Sequence, residues 1–274
     1  MALTAFQREV CRLLAAHRVA SGESYVAGAV ALNELIAAPR ISRDIDLFHD
    51  TDAALEATWA ADRRLLEEHG FTVRVLRERR AYVEAQVGKG SHTVLLEWAR
   101  DSAFRFFPLV AHADLGLTLH PFDLATNKVL ALVGRLEVRD WVDVIECHKR
   151  IQPLGYLVWA ACGKDPGFGP DAILEHAARS GRYSSDEVLE LSFAGDPPDA
   201  ARLSRQWHTM VANAREIVEA LPPDEVGRCV LGREGALFKG DAAALRRALD
   251  DGALLFHPGH IRGALPQLRE DRGA

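Results

Sequence analysis

The sequence predicts an α+β protein, with a mixed sheet and flanking helices over residues 1–120 and a helical C-terminal domain over residues 121–274. Helix-period segments alternate with short β-rich segments in the first part, and the apolar pattern turns helical from Pro121 onward. The stretches KDPGFGPD and GDPPD mark linkers within the second part. A chain of 274 residues is long enough to bury two cores of this kind.

The composition is that of an ordinary globular protein, 48% hydrophobic and 26% charged. No run of about 18 apolar residues occurs and charges are spread through the N-terminal helix pattern, so we expect neither a membrane span nor a signal peptide, and a cytoplasmic location. Four distant cysteines without a Cys-x-x-Cys pair indicate neither a disulfide framework nor a zinc finger. The net charge of -6 gives no global attraction to nucleic acid, so such a partner requires a local basic patch or a metal-neutralised site.

The N-terminal elements can be assigned in order. TAFQREVCRLLAAHRV has the apolar spacing of a helix, with Thr4 as its N-cap. SYVAG is a short strand that ends at Gly28, and AVALNELIAA is a helix that Pro39 breaks. RDIDLF is the next strand, and AALEATWAADRRLLEEHG is an amphipathic helix that ends at Gly70.

Three further strands, FTVRVLRE, AYVEAQV and HTVLLEWA, complete the predicted sheet, and a Gly88-Lys89-Gly90 turn joins the last two. The segment FTVRVLRERRAY also carries the densest basic cluster of the chain. Two interpretations of this cluster stay open: it follows an RNA backbone, or it is a solvated strand edge that charge protects. Its members are Arg74, Arg77, Arg79 and Arg80.

The strand RDIDLF carries two carboxylates on one face, because Asp44 and Asp46 point away from Ile45 and Leu47. Like charges this close disfavour ionisation of the pair unless a cation lies between them, and Mg²⁺ or Mn²⁺ is the simplest candidate. On HTVLLEWA, Glu97 stands among apolar residues and could complete a three-carboxylate cage for two metal ions, which would clamp an in-line phosphoryl displacement. The alternative is that Glu97 pairs with an arginine at a strand end.

The segment FDLATNKVLALVGRLEVRDWVDVIECHKR is interpreted as one long helix that is apolar over most of its circumference. A helix of this kind is buried, and its charged side chains therefore need partners. Those partners are either acidic side chains or the phosphates of a bound nucleotide, and we favour the phosphates because the metal site needs a triphosphate beside it. The polar stripe comprises Lys128, Arg135, Arg139 and Asp143, which together with Leu132 fall within roughly 80° of one another.

With these segments, the sequence resembles the AbiEii/AbiGii-type nucleotidyltransferase toxin family of the DNA polymerase β-like nucleotidyltransferase superfamily. The resemblance covers the first 150 residues or so. It rests on the strand-turn-helix at Gly28, on RISRDIDL from Arg40 to Leu47, and on the helix from Lys128 that ends in Arg139-Asp140-x-x-Asp143.

The resemblance implies a nucleotidyltransferase-type sheet in which Asp44 and Asp46 hold Mg²⁺ and the turn at Gly28-Ala29 cradles nucleotide phosphates. The family usually has Gly-Gly or Gly-Ser in this turn, so Ala29 is a departure from its pattern. Lys128 would contact the triphosphate. Asp140 or Asp143 would orient Lys128 or the acceptor. Arg40 and Ser42 would brace the strand that carries Asp44 and Asp46, or would reach a phosphate.

The reaction expected from these residues is Mg²⁺-dependent transfer of NMP from an NTP to an acceptor hydroxyl, which Glu97 activates or orients. The resemblance further implies the toxin of a bacterial toxin-antitoxin pair, with a cognate antitoxin as partner and tRNA or protein as acceptor. The fold does not choose the acceptor, and we favour RNA because the basic hairpin closely follows the metal strand. The alternative function is a weak or inactive nucleotide- or RNA-binding module with the same fold.

Overall fold

The computed structural model describes residues 3–179 and 183–267, and it divides into two compact units. Neither unit is continuous in sequence. The first comprises Met1–Ala103, Leu109–Leu124 and Ser192–Asp196; the second comprises Phe104–Pro108, Ala125–Leu191 and Pro197–Ala274. The chain passes between them within one helix, after Leu124.

The first unit contains three helices and a large sheet. Its helices are α1 (Ala5–Ser21), α2 (Gly28–Leu35) and α3 (Asp52–Glu68). Its strands are β1 (Tyr25–Val26), β2 (Arg40–Ile41), β3 (Asp44–His49), β4 (Thr72–Arg79), β5 (Tyr82–Lys89), β6 (His92–Arg100), β8 (Val110–His112), β9 (Gly116–Thr118) and β10 (Ser192–Phe193). The intervening strand β7 (Phe104–Arg105) belongs to the second unit.

Seven strands form the sheet in the order β4-β5-β6-β3-β1-β9-β8. The pairs β3-β6 and β1-β9 are parallel and the others are antiparallel, which confirms the predicted mixed sheet with flanking helices. The hairpin between β5 and β6 turns at Gly90 and Ser91, because Gly88 and Lys89 still pair within the ladder. The predicted Gly88-Lys89-Gly90 turn therefore begins slightly too early in the chain.

One face of this sheet forms the core of the first unit. Leu47 and Trp98 are register partners on β3 and β6, and both are buried. Trp59 of α3 packs edge-on against Trp98, with ring centroids 4.7 Å apart, and the Trp98 indole donates to Asp62 of the same helix. The side chains that alternate with Leu47 and Trp98 therefore point to the opposite face of the sheet.

Local signals account for the predicted helix start of α1. The Thr4 hydroxyl accepts from the backbone N–H of Gln7, and the Gln7 side chain accepts from the backbone N–H of Thr4, so the two residues form a capping box. The helix ends at Gly22, which adopts the left-handed conformation.

The second unit is mainly helical and also contains two small sheets. Its helices are α4 (Pro121–Arg135, whose first turn lies in the first unit), α5 (Val138–Arg150), α6 (Leu154–Ala161), α7 (Pro170–Ala178), α8 (Ser185–Leu189), α9 (Ala200–Ala220) and α10 (Ala242–Asp250). Its strands β11 (Cys229–Gly232) and β12 (Leu254–His257) pair with each other, and β13 (His260–Ile261) pairs with β7. The predicted helical domain extends to residue 274, and its last seven residues lie outside the described part of the chain.

The single helix predicted around residues 122–150 is wrong, because the structure forms two helices there. Leu136 adopts a left-handed φ of 54° and ends α4, and Glu137 then serves as the N-cap of α5. Leu136 is 39% exposed, so a continuous helix at this position is not favoured by burial of the leucine. Lys128 and Arg135 of α4 form ion pairs with Asp140 of α5 across the break, and such contacts can offset the cost of a strained residue.

Within the described residues, no helix combines the length and the apolar character needed to cross a bilayer. The four cysteines, Cys11, Cys147, Cys162 and Cys229, are buried thiols that form no disulfide with one another.

Candidate functional site

The two aspartates of β3 lie side by side on the sheet face opposite the core. Burial along β3 alternates strictly, so Asp44 and Asp46 are half-buried whereas Ile45 and Leu47 are almost fully covered. This is the arrangement that the sequence predicted from the two-residue period of a strand.

Gly28 packs directly on one of these carboxylates. Its φ is +61°, and a Cβ atom built there would lie 1.6 Å from Oδ2 of Asp46. The neighbouring Ala27 donates its backbone N–H to the Asp46 carbonyl at 3.0 Å, which fastens the turn to β3. Only glycine fits both the left-handed backbone and this close approach.

The same turn opens α2, and no side-chain hydrogen bond caps this helix at Ala27. The first N–H groups of a helix lack intrahelical partners and carry a partial positive charge, which suits an anion. Ala29 is not among the three non-glycine residues with positive φ in the described chain, which are Ala37, Leu136 and Arg262. The departure from the family pattern at Ala29 therefore causes no backbone strain.

The segment before β3 is held from two sides. Ser42 donates its hydroxyl to Oδ1 of Asp44 at 2.7 Å, and the Asn33 amide donates to the carbonyl of buried Arg40 at 3.0 Å. Arg40 also pairs with Phe193 where β10 joins β2. Ser42 thus contacts a predicted metal ligand, as bracing of the metal strand requires, and the roles predicted for Arg40 and Ser42 at a phosphate stay predictions.

Glu97 is the register partner of Asp46 on the adjacent parallel strand β6 and of Glu84 on β5. The Tyr82 hydroxyl donates to Glu97. Burial, together with the charges of Glu97 and Glu84, raises the pKa of Tyr82 to about 12, so this phenol stays protonated and remains a donor at neutral pH. The structure therefore aligns Glu97 with Asp46 of β3.

The aspartate pair fits a hard divalent cation. Asp44 and Asp46 offer carboxylate oxygens, and Mg²⁺ usually takes one or two protein carboxylates and fills its other positions with water and substrate phosphate. Among residues 3–179 and 183–267, no group of three or more His, Cys, Asp or Glu side chains is arranged to hold a metal ion. The aspartates therefore suit a metal that shares its coordination with a nucleotide, and Glu97 as a third ligand stays a prediction.

Lys128 of the second unit lies between two buried carboxylates. Its ammonium is 3.1 Å from Oδ1 of Asp140 and 3.3 Å from Oδ2 of Asp143, both supplied by α5. Arg135 forms a bidentate pair with Asp140 at 2.9 and 3.1 Å. The polar stripe of the predicted helix thus finds acidic partners within its own segment, which was one of the two interpretations left open.

Arg139 pairs with Glu137 at the start of α5. These ion pairs do not test the predicted nucleotide contacts, so those of Lys128, Arg135 and Arg139 stay predictions. A charged side chain can hold an acidic neighbour and a phosphate together, since both Lys and Arg carry several donors.

The basic hairpin lies at the edge of the large sheet, where all four of its arginines are exposed. Arg77 approaches Glu84 at 3.9 Å and Arg80 approaches Asp52 at 3.0 Å. Exposed ion pairs of this kind are weak, so they can exchange for a polyanion at small cost.

Gln7, Asn33 and Tyr82 have no functional part in the prediction from sequence. The Gln7 side chain donates to the Ser42 carbonyl at 2.8 Å, so α1 contacts the connection that precedes β3 through this side chain. The pattern Thr4-x-x-Gln7 signals a capping box, but nothing in it indicates a partner 35 residues away. Tyr82 could have been found from the strand alternation, because it lies on the same face of the hairpin as Glu84.

Solved structures share this fold at low sequence identity. A candidate nucleotidyltransferase from H. pylori is 16% identical with a TM-score of 0.50, and the match covers 81% of this chain and 99% of that one. JHP933 from Helicobacter pylori is 13% identical with a TM-score of 0.50, covering 77% and 91%. MenT4, a nucleotidyltransferase toxin from Mycobacterium tuberculosis H37Rv, is 18% identical with a TM-score of 0.50, covering 79% and 83%.

A comparison with curated proteins gave no match. The family described as nucleotidyl transferase AbiEii toxin, type IV toxin-antitoxin system, matches residues 12–225. This range is well over half of the chain and includes the turn at Gly28, both aspartates of β3 and the Lys128 cluster. The chain therefore belongs to the AbiEii nucleotidyltransferase toxin family.

Proposed function

We propose that this nucleotidyltransferase requires Mg²⁺ and transfers NMP from an NTP to an acceptor hydroxyl. One observation supports the proposal above all: Asp44 and Asp46 share a strand face, and Gly28 brings the N-terminus of α2 onto the Asp46 carboxylate. A carboxylate pair beside a helix N-terminus suits a metal-bound triphosphate, since the carboxylates bind the cation and the helix N-terminus favours the anion.

In the proposed reaction, a bond forms between the acceptor oxygen and the α-phosphorus, and the bond from that phosphorus to the pyrophosphate oxygen breaks. Pyrophosphate leaves with the electron pair, and the acceptor proton goes to the Glu97 carboxylate. When bound, Mg²⁺ neutralises charge on the phosphates. Asp44 and Asp46 hold the metal, the Gly28-Ala29 turn holds phosphate oxygens, and the Tyr82 hydroxyl keeps Glu97 in place.

The family resemblance adds the charged cluster of the second unit to this proposal. Lys128 supplies positive charge to the triphosphate, with Arg135 and Arg139 as further phosphate contacts. Asp140 and Asp143 fix the Lys128 ammonium, and their distances of 3.1 and 3.3 Å support that part. Preorganised cations of this kind are effective because they need no reorganisation as charge develops.

We further propose that the chain is the toxin of a bacterial pair, acts in the cytoplasm on tRNA or another RNA, and is opposed by a cognate antitoxin. The family description supports the toxin-antitoxin setting. The exposed arginines of the β4-β5 hairpin support a polyanionic acceptor, because phosphate contacts dominate the affinity of proteins for nucleic acids.

The test is a transfer assay with each of the four NTPs labelled at the α-phosphate, in Mg²⁺, with total bacterial RNA or a bacterial protein extract as acceptor. We expect label in RNA from the wild-type chain and none from Asp44→Ala/Asp46→Ala. The matched control is Glu67→Ala/Glu68→Ala, which removes two exposed acids from the end of α3. Circular dichroism and thermal unfolding verify that all three chains fold.

Each alternative gives a different result. Label in protein rather than RNA would keep the enzyme and change the acceptor. Nucleotide binding without transfer under any condition would favour the binding module. Full turnover by the double aspartate variant would show that these carboxylates do not hold the metal.

A further inference from the structure

Two consecutive hydrogen bonds, the first buried and the second partly buried, lead from helix α1 to the first aspartate of β3. The Gln7 side-chain amide donates to the Ser42 carbonyl at 2.8 Å, and the Ser42 hydroxyl donates to Oδ1 of Asp44 at 2.7 Å. Gln7 is 4% exposed and Ser42 is 3% exposed, so water does not compete strongly for these bonds.

The orientation of the Gln7 amide is determined at both ends. Its oxygen accepts from the backbone N–H of Thr4 at 2.9 Å, while its nitrogen faces the Ser42 carbonyl. A flipped amide would bring two donors together at one end and two acceptors at the other. Glutamine is therefore the residue that satisfies both partners, because glutamate has no donor for Ser42 and leucine has neither group.

Ser42 lies between β2 and β3, in the short connection that precedes the first aspartate. Its main chain is held by Gln7, and its side chain sets the rotamer of Asp44 by engaging one carboxylate oxygen. Groups that orient a metal ligand through hydrogen bonds tune metal affinity, and their loss typically costs 10–100-fold in affinity or activity.

We infer that Gln7 is a positioning residue for the divalent cation site, acting on Asp44 through Ser42. This inference rests on the proposed function, since it assumes that Asp44 binds the cation. Gln7 precedes the family match, which begins at residue 12, so the match itself does not include this positioning residue.

Three variants separate positioning from helix stability. Gln7→Glu keeps the oxygen that caps Thr4 and loses the donor to Ser42, whereas Gln7→Leu loses both. Thr4→Ala is the matched control, because it removes the other half of the capping box and leaves the Gln7 amide beside Ser42. Thermal unfolding reports how much each variant destabilises the fold.

Two measurements are made on every variant: the affinity for Mn²⁺, by calorimetry or electron paramagnetic resonance, and the Mg²⁺ concentration that gives half-maximal transfer. We expect both Gln7 variants to weaken Mn²⁺ binding and to raise the Mg²⁺ requirement by about 10–100-fold. Thr4→Ala should leave both values at wild-type level even if it unfolds at a lower temperature. Ser42→Ala should weaken Mn²⁺ binding and raise the Mg²⁺ requirement as much as Gln7→Leu does. The double variant Gln7→Leu/Ser42→Ala should lose no more affinity than either single variant.

Wild-type Mn²⁺ affinity in Gln7→Glu and Gln7→Leu would overturn the inference, as would additive losses in the Gln7→Leu/Ser42→Ala pair. An equal shift in Thr4→Ala would assign the effect to helix stability and would also overturn it. If the wild-type chain transfers no nucleotide but binds Mn²⁺ more tightly than the Gln7 variants, the proposed function fails and the positioning role stands. A wild-type chain that neither transfers nor binds Mn²⁺ would refute both.

Discussion

The ammonium of Lys128 lies 3.1 Å from the carboxylate of Asp140, twelve positions later in the chain. A continuous helix would separate the two residues by about 18 Å along its axis. The break at Leu136 is therefore the condition for this ion pair, and the left-handed residue is stabilised by the contacts that it makes possible.

Replacing Asp140 should destabilise the second unit. Asp140 is fully buried and pairs with both Lys128 and Arg135, so Asp140→Ala leaves a buried ammonium short of a partner. We expect a loss of about 3 kcal/mol in urea unfolding. Glu137→Ala removes a 43% exposed carboxylate from its pair with Arg139 and should cost under about 1 kcal/mol. Equal losses in both variants would argue against a structural role for the buried pair.

The close approach of Gly28 to Asp46 gives a prediction about the site itself. Gly28→Ala should abolish transfer, because its Cβ would collide with the Asp46 carboxylate. Gly90→Ala is a matched control: its φ of +62° is nearly the same, and an added Cβ meets nothing within 4 Å. The control should cost only the backbone strain of about 1 kcal/mol and keep its activity. Wild-type transfer by the Gly28→Ala variant would show that close packing of Gly28 on Asp46 is not required for activity.

Acid should destabilise the first unit through His49. Burial lowers the pKa of His49 to about 4, although a hydrogen bond with the Ala99 carbonyl acts in the opposite direction and raises it. The unfolded chain binds a proton near pH 6.5 and the folded chain only near pH 4, so between these values the unfolded state holds more protons and stability rises with pH. The contribution of His49 to the free energy of unfolding is complete above about pH 6.5. Roughly 3 kcal/mol of it is lost as the pH falls through about 4.

Urea unfolding at several pH values, followed by Trp fluorescence, measures this dependence. His49→Gln should flatten the curve between about pH 4 and 6.5, while the exposed His69→Gln should leave the wild-type slope. An unchanged slope in His49→Gln would mean that other groups carry the acid sensitivity.

The hairpin arginines give the prediction on the acceptor. Changing Arg74, Arg77, Arg79 and Arg80 to Ala should weaken RNA binding about equally for all sequences, and the salt slope should fall by about one unit for each phosphate that the variant no longer binds. Arg63→Ala/Arg64→Ala, on the exposed side of α3, is the control. RNA modification at the wild-type rate with an unchanged salt dependence would exclude the hairpin as an RNA-binding surface.

Local patterns predicted much of the first unit. The capped start of α1, the alternation of β3 and the strands β4 to β6 follow from short-range spacing, which the sequence displays directly. The break at Leu136 was missed although Gly134 and Arg135 are weak helix-stop signals, because the left-handed residue is a leucine and the apolar pattern continues beyond it. The small sheets of the second unit were missed for a related reason, since strands of two to four residues have too few positions to show alternation.

Sequence spacing predicted the shared strand face of Asp44 and Asp46 and proposed the distant Glu97 as their partner, but it missed contacts that depend on helix docking or strand register. Asp44, Asp46 and Ser42 belong to one segment, and their contacts follow from strand geometry. Gln7 reaches Ser42 across 35 positions, and Tyr82 reaches Glu97 only because β5 pairs with β6 in one particular register. Register and helix docking are set by the whole core, which no short window of the sequence contains.

The pairing of β10 with β2 bears on how the chain matures on the ribosome. Ser192 and Phe193 complete a ladder with Ile41 and Arg40, immediately before the aspartate strand. When synthesis reaches Leu124, the last residue of the first unit's main body, about 70 residues must still be translated before this strand exists, which takes roughly 4–14 s at typical elongation rates. Nascent chains that end or stall before this point therefore lack β10, so the ladder beside the aspartate segment forms only after residue Phe193 has been made.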